Sequence, residues 1–232
     1  KKNKNRLLSS SYRPVAILPS LCKVIERVVL EQLTRYCDEH HIIPRQQHGF
    51  RRAHSTLTAI ASATHAWGTA LAPHNEGGKA VDCVAVAAFD YSAAFDTVSL
   101  DTVMSSLERL GCGGPTLAWF RSYMSGGRQA VIWNGATSSM RPVPYGVRQG
   151  SILGPTIFSI VTRIFPEAVG EDSAVYADDI NAWSSGLTDT VLASIASKCN
   201  GLAGQANELE LVLNADKTQL MLWGPGVRSR QS

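Results

Sequence analysis

The stretch Val175-Tyr176-Ala177-Asp178-Asp179 constrains this 232-residue chain more than any other. A short apolar run, Ala174 to Tyr176, feeds two adjacent carboxylates, and a second run, Ile180 to Trp183, follows at once. The pattern predicts two strands joined as a tight β-hairpin with Asp178 and Asp179 at its tip. Two carboxylates side by side at a turn repel each other unless a positive group lies between them and what they bind. A pair of Mg²⁺ ions is the common remedy where the substrate is a phosphate. Tyr-x-Asp-Asp alone is a weak signal, and an exposed turn with two solvated aspartates is the plain alternative.

Support lies upstream. Cys83 to Phe89 is an unbroken apolar run, β-branched in part, and reads as a strand buried on both faces. It ends at Asp90. A carboxylate at the end of a buried strand, beside a hairpin tip bearing two more, is a metal-site geometry. There Asp90 and Asp178 could hold two cations about 3.5–4 Å apart, the spacing of in-line phosphoryl displacement. Burying carboxylates at strand ends without partners is costly, which argues against a purely structural role.

At this point the wording resembles a family. Phe89-Asp90-Tyr91-Ser92-Ala93-Ala94-Phe95-Asp96-Thr97-Val98 resembles motif A of reverse transcriptases, in the non-LTR retrotransposon branch. Gly146-Val147-Arg148-Gln149-Gly150-Ser151-Ile152-Leu153-Gly154-Pro155 resembles motif B, Tyr176-Ala177-Asp178-Asp179 motif C, and Leu213-Asn214-Ala215-Asp216-Lys217-Thr218 motif D. Tyr12-Arg13-Pro14-Val15 and the run from Gln47 to Thr56 resemble the two fingers motifs. Six motifs in the family's order span nearly the whole chain, which is a specific signal.

The resemblance implies an α+β fold, the fingers and palm of a right-hand polymerase, with an antiparallel palm sheet, helices packed on one face, and the thumb missing. Residues 1–79 would form most of the fingers and 80–232 the palm. It implies an RNA-directed DNA polymerase, a nucleotidyltransferase that adds dNMP from dNTP to a primer 3′-hydroxyl. Its partners would be an RNA template, a DNA primer and dNTPs, with no membrane. Asp90, Asp178 and Asp179 would be the catalytic metal ligands for two Mg²⁺, with Mn²⁺ able to substitute. Lys217 would protonate the departing pyrophosphate. Arg51, Tyr91, Phe95, Gln149 and Gly150 would bind substrate, Phe95 as the ring that leaves no room for a 2′-hydroxyl. Arg51 would take the triphosphate. Arg13 and Arg52 are weaker candidates for template phosphates, and Lys1 and Lys2 are equal candidates for the fingers lysine. Asp96 reads as a helix N-cap. Two alternatives stay open: a group II intron-type enzyme, and an inactive nucleic-acid-binding fragment or relic. A viral RNA-directed RNA polymerase would more often carry Gly before the Asp pair. Val161-Thr162-Arg163-Ile164-Phe165 replaces the Asn-Asp pair that often follows motif B, and is apolar enough to pack as a helix.

The net charge is only +3, but it is unevenly placed. Residues 1–52 carry eleven Lys/Arg against four Asp/Glu, a net of +7, and the remainder eleven against fifteen, a net of −4. A basic front that grips phosphates and an acidic rear that holds cations fit that asymmetry. Five cysteines, with no Cys-x-x-Cys pair, argue against a disulfide framework and a zinc site and fit a reducing intracellular setting, the nucleus for a retrotransposon protein. No apolar run is long enough to span a bilayer, and with no apolar stretch after Lys1 to Arg6 a signal peptide is not expected. The absence of an initial Met reads as a piece of something longer.

Periodicity predicts a helix over 21–37 with an apolar stripe at 21, 24, 25, 28, 29 and 33, and a second from a Ser55 cap to about Leu71. A loop over 73–79 separates them from the strand ending at Phe89. Helices are expected over 100–110 and 117–124. A hairpin turning at Asn134-Gly135 follows, then an apolar helix over 152–165 interrupted by Pro155. After the Asp-Asp hairpin come a long helix capped by Thr188 and a last strand over 218–223.

Overall fold

The structure, a computed structural model, describes residues 15–72, 81–91, 94–143, 146–147, 150–224 and 227. Two helices come first, α1 (Ser20–Glu39) and α2 (Thr56–Leu71). Strand β1 (Cys83–Phe89) is followed by α3 (Ala94–Thr97), α4 (Leu100–Arg109) and α5 (Gly114–Met124). Four short strands come next: β2 (Arg128–Gln129), β3 (Ile132–Trp133), β4 (Ala136–Thr137) and β5 (Arg141–Pro142). Then come α6 (Gly154–Val161), a 3-10 turn at Thr162–Ile164, and α7 (Phe165–Val169). The hairpin β6 (Ser173–Tyr176) and β7 (Asp179–Gly186) leads into α8 (Thr188–Glu208). A 3-10 turn at Ala215–Lys217 precedes β8 (Gln219–Trp223).

The main sheet is antiparallel, in the order β6-β7-β1-β8. Strand β1 sits inside it, and its side chains alternate between two cores, as a pleated strand requires. Cys83, Ala85, Ala87 and Phe89 enter the larger core with residues of α4, α6 and α8. Val84 and Val86 face the other way, with Ala174, Trp183 and Ala63. Trp67 of α2 closes that second core, edge-on to Trp183 at 6.0 Å and tilted on Trp223 at 4.9 Å. The palm helices thus lie on one face, as expected, and α2 adds a partial cover to the other. Both faces of β1 are buried, which is why its sequence shows no polar alternation.

Local signals fixed most of the boundaries. The Ser55 hydroxyl accepts from the Thr58 amide while Thr58 Oγ1 accepts from the Ser55 amide, a closed capping box at the start of α2. Asn134 and Gly135 take φ of 46° and 79°, the pair of positive values a type I′ turn needs between β3 and β4. β2 and β5 extend the same hairpin after a break.

Other expectations need correction. Pro155 starts α6 at its first turn, where its missing N–H costs nothing, rather than interrupting a longer helix. Thr188 is the first residue of α8 and makes no cap. Asp96 lies within α3, and the cap of α4 is Ser99, whose Oγ accepts from the Thr102 amide. Val161–Phe165 does pack helically, through the end of α6, the 3-10 turn and the start of α7. In α1 the helix is as expected but its rotation is not. Leu21, Val24, Ile25 and Val28 are exposed, and the buried face carries Glu26, Leu33 and Cys37. The expected linker over 73–79 and the basic residues 1–14, with Arg13, lie outside the described residues. Among the described residues no helix is long and apolar enough to cross a membrane.

Phe158 is the pivot of the larger core, fully buried beneath Phe95 with ring centroids 4.2 Å apart. Phe158→Ala should lower the unfolding free energy by about 3–5 kcal/mol in denaturant titrations, and a loss below about 1 kcal/mol would contradict this packing.

Candidate polymerase active site

The register of the sheet builds the site. Phe89 lies opposite Ile180, and β1 ends there. One step further sets Asp90 beside Asp179. Residues opposite each other across an antiparallel pair share a face, so both carboxylates belong to the face of Val84, Val86 and Trp183, away from the larger core. Tyr176 pairs with Asp179, leaving Ala177 and Asp178 as the two loop residues. Ala177 takes φ 60° and Asp178 does not, the pattern of a type II′ turn. The three acidic residues therefore converge from two neighbouring strand ends.

Motif D is tied to motif A by backbone. The Asn214 amide donates to the Asp90 carbonyl at 2.8 Å, and Tyr91 bridges Leu213. That brings Lys217 Nζ to 2.6 Å from Asp90 Oδ2. The sequence placed these residues 127 apart, and only the sheet joins them.

The electrostatics are those of crowded like charges. The Asp179 pKa is raised, first by desolvation and then by Asp178 and Asp90, with Lys217 opposing. Asp179 is exposed as a residue, yet the protein atoms around it remove enough water from its carboxylate to disfavour the charge. Among the described residues, no three His, Cys, Asp or Glu side chains gather closely enough to cage a metal by themselves. Mg²⁺ does not need such a cage. It takes hard oxygen ligands, commonly one or two carboxylates, and completes its shell with water and substrate phosphate. An all-oxygen donor set fits that ion.

The other expected residues divide. Phe95 is half-buried, stacked on Phe158 and edge-on to Phe50 at 6.0 Å, at the start of α3 just beyond Asp90. The Tyr91 ring is turned into the larger core, stacked on Phe165 at 5.1 Å, and its buried hydroxyl has no hydrogen-bond partner among the described residues. Burial holds that phenol well above its usual pKa. Tyr91 can thus offer a nucleotide its backbone, not its ring. Gly150 has φ 105°, and a Cβ there would meet the Ala16 carbonyl at 2.6 Å, so the close approach it allows is to the fingers backbone. Arg51 donates from Nη1 to the Pro44 carbonyl at 3.0 Å, spending one of its five N–H donors on the fingers loop. Gln149 lies outside the described residues.

Two functional neighbours escaped the sequence reading. Glu26 is 1% exposed, and its carboxylate accepts from the Ile152 amide at 2.6 Å and the Tyr123 hydroxyl at 2.7 Å. It ties α1 to the motif B loop and to α5. Gln47 reaches the motif C turn from the fingers. Neither residue is signalled by local pattern: a Glu in an amphipathic helix and a Gln in a loop read as surface.

Asp179 gives a pH-dependent test. Its folded pKa lies above the unfolded value, so the folded state is favoured at pH below the ordinary carboxylate range. That advantage is lost as pH rises through the raised value. In EDTA, Asp179→Asn should raise the thermal midpoint at neutral pH, with the gain vanishing below about pH 4. A lowered midpoint at neutral pH would refute crowding of the carboxylates.

Comparison with known proteins identifies the family and the fold. Residues 1–231 match the family described as reverse transcriptase (RNA-dependent DNA polymerase). The chain is 32% identical, over 78% of its length, to the RNA-directed DNA polymerase from mobile element jockey of Drosophila funebris. It is 30% identical, over 90% of its length, to the probable RNA-directed DNA polymerase from transposon BS of Drosophila melanogaster. It spans only 20% and 23% of those two proteins. In fold it is similar to apo telomerase from Candida tropicalis (TM-score 0.60, 14% identity, 86% of this chain and 40% of that one). It is also similar to the RNA-dependent RNA polymerase of a human picobirnavirus (TM-score 0.54, 15% identity, 89% of this chain and 37% of that one). The chain belongs to the reverse transcriptase family, in the branch carried by non-LTR retrotransposons.

Proposed function

We propose that this chain is the fingers and palm of an RNA-directed DNA polymerase, which adds dNMP from dNTP to a primer 3′-hydroxyl on an RNA template. The observation that carries the reading is the convergence of Asp90, Asp178 and Asp179 at two adjacent strand ends, with Lys217 against Asp90. The named relatives are RNA-directed DNA polymerases, and that supports RNA as template here.

Asp90, Asp178 and Asp179 would hold two Mg²⁺. Such ions lower the pKa of the primer hydroxyl and neutralise the triphosphate and the leaving pyrophosphate. Asp90, just beyond β1, and Asp178, in the turn between β6 and β7, would flank the reacting phosphate, and Asp179 would add field from the first residue of β7. Lys217 has two uses in turn. Paired with Asp90 it offsets a carboxylate, and released from it the ammonium can donate a proton to the leaving group. The pair is half-exposed and contributes under about 1 kcal/mol to folding, so it can open at little cost. Phe95, braced from below by Phe158, would present its ring to the sugar.

In primer extension on an RNA template, Asp90→Asn and Asp178→Asn should each cut dNMP incorporation by about 10²-fold or more, with the thermal midpoint preserved. Incorporation near the wild-type rate in either variant would sink the metal assignment. Phe95→Ala should raise NTP use relative to dNTP use. A change below about threefold in that ratio, roughly 0.6 kcal/mol of differential binding, would leave Phe95 as core alone.

A further inference from the structure

Gln47 comes from the fingers segment, yet its side chain ends at the catalytic turn. The loop runs parallel to β6: the Val175 amide donates to the Gln46 carbonyl at 2.8 Å, and the His48 amide donates to the Val175 carbonyl at 2.7 Å. This seals the outer edge of β6 and leaves Gln47 only 3% exposed. Gln47 Oε1 then accepts from two amides, Gly49 at 2.9 Å and Ala177 at 3.3 Å. Gly49 is part of the same fit, because a Cβ there would collide with the Ala177 nitrogen.

Ala177 needs that partner. It is buried, with φ 60°, a conformation that costs any residue with a Cβ. Its amide belongs to the first loop residue of the hairpin and has no ladder partner, since Tyr176 pairs with Asp179. The turn is held in a strained shape by contacts from outside it, and the next two residues are Asp178 and Asp179. An amide oxygen is also the acceptor that suits this place. It satisfies the buried N–H without adding a further negative charge beside three carboxylates.

We propose that Gln47 is a positioning residue of the metal site: through the Ala177 amide it fixes the turn that aims Asp178 and Asp179. This deepens the polymerase reading and rests on it. A polar group that orients metal-binding carboxylates from behind commonly changes metal affinity by about 10–100-fold when removed. Gln47→Met keeps the length and apolar stem but loses the acceptor. Gln47→Glu keeps an acceptor oxygen at the same reach.

The test is binding of Mn²⁺ to the 232-residue chain, followed by loss of the free-ion paramagnetic resonance signal, with thermal midpoints measured in parallel. Gln47→Met should raise the half-saturating Mn²⁺ about tenfold or more. Gln47→Glu should bind within about threefold of wild type, or more tightly. Adding Ala177→Gly to Gln47→Met should recover the thermal midpoint by relieving the positive φ, but not the Mn²⁺ affinity. Wild-type affinity in Gln47→Met, or affinity that returns together with the midpoint in the double variant, would overturn the positioning role. Binding by wild type that Asp178→Asn does not weaken would instead overturn the polymerase reading, and the Gln47 proposal with it.

Discussion

The register between β1 and β7 is the constraint on which the rest depends. Phe89 opposite Ile180 leaves Asp90 to fall beside Asp179 on the shared face. A slip of one residue would turn Asp90 toward the larger core and exchange the side chains that β1 sends into its two cores. The register is held because both faces of β1 are buried and each is filled by a different group: α4, α6 and α8 on one side, α2 with Trp67 and Trp183 on the other. Burial thus does two jobs. It stabilises the sheet, and it fixes where three like charges must meet.

Those charges oppose the fold that gathers them. Asp179 is pushed toward its neutral form by desolvation and by its two neighbours. The offsets come from elsewhere in the chain. Lys217 reaches Asp90 because Asn214 is bonded to Asp90 itself and Leu213 bridges the next residue, Tyr91. The segment before β1 holds two loops: Glu26 accepts from Ile152 in one, and Gln47 accepts from Ala177 in the other. Gly150 and Gly49 allow these approaches, one against Ala16 and the other against Ala177. The segment before β1 is therefore joined to the rest of the chain at these two loops as well as through α1 and α2, whose Leu33, Cys37 and Trp67 enter the two cores.

What the sequence made legible follows from the range of each signal. The strand before Asp90, the Asp-Asp hairpin, the Ser55 cap and the Asn134-Gly135 turn are local patterns, and each stands where the residues placed it. Caps at Asp96 and Thr188 were misplaced because a polar residue within a turn of a helix start satisfies the same pattern as the cap itself. The rotation of α1 was misread for a deeper reason. Periodicity assigns the apolar stripe inward, but Glu26 has two partners across the fold, and those bonds turn the other face to the core. Tyr91 sits beside Asp90 in sequence, while strand alternation sends its ring into the core. Glu26 and Gln47 could be found only from contacts 126 and 130 residues away.

The central proposal is that Asp90, just beyond β1, and Asp178, in the turn between β6 and β7, serve one metal site. A double-mutant cycle on Mn²⁺ affinity, using Asp90→Asn, Asp178→Asn and the pair, measures this coupling directly. Either substitution alone should remove most of the affinity, so the double variant should bind scarcely worse than the weaker single one. Losses that simply add would mean that the two carboxylates act on separate sites, and the register would no longer explain the chemistry.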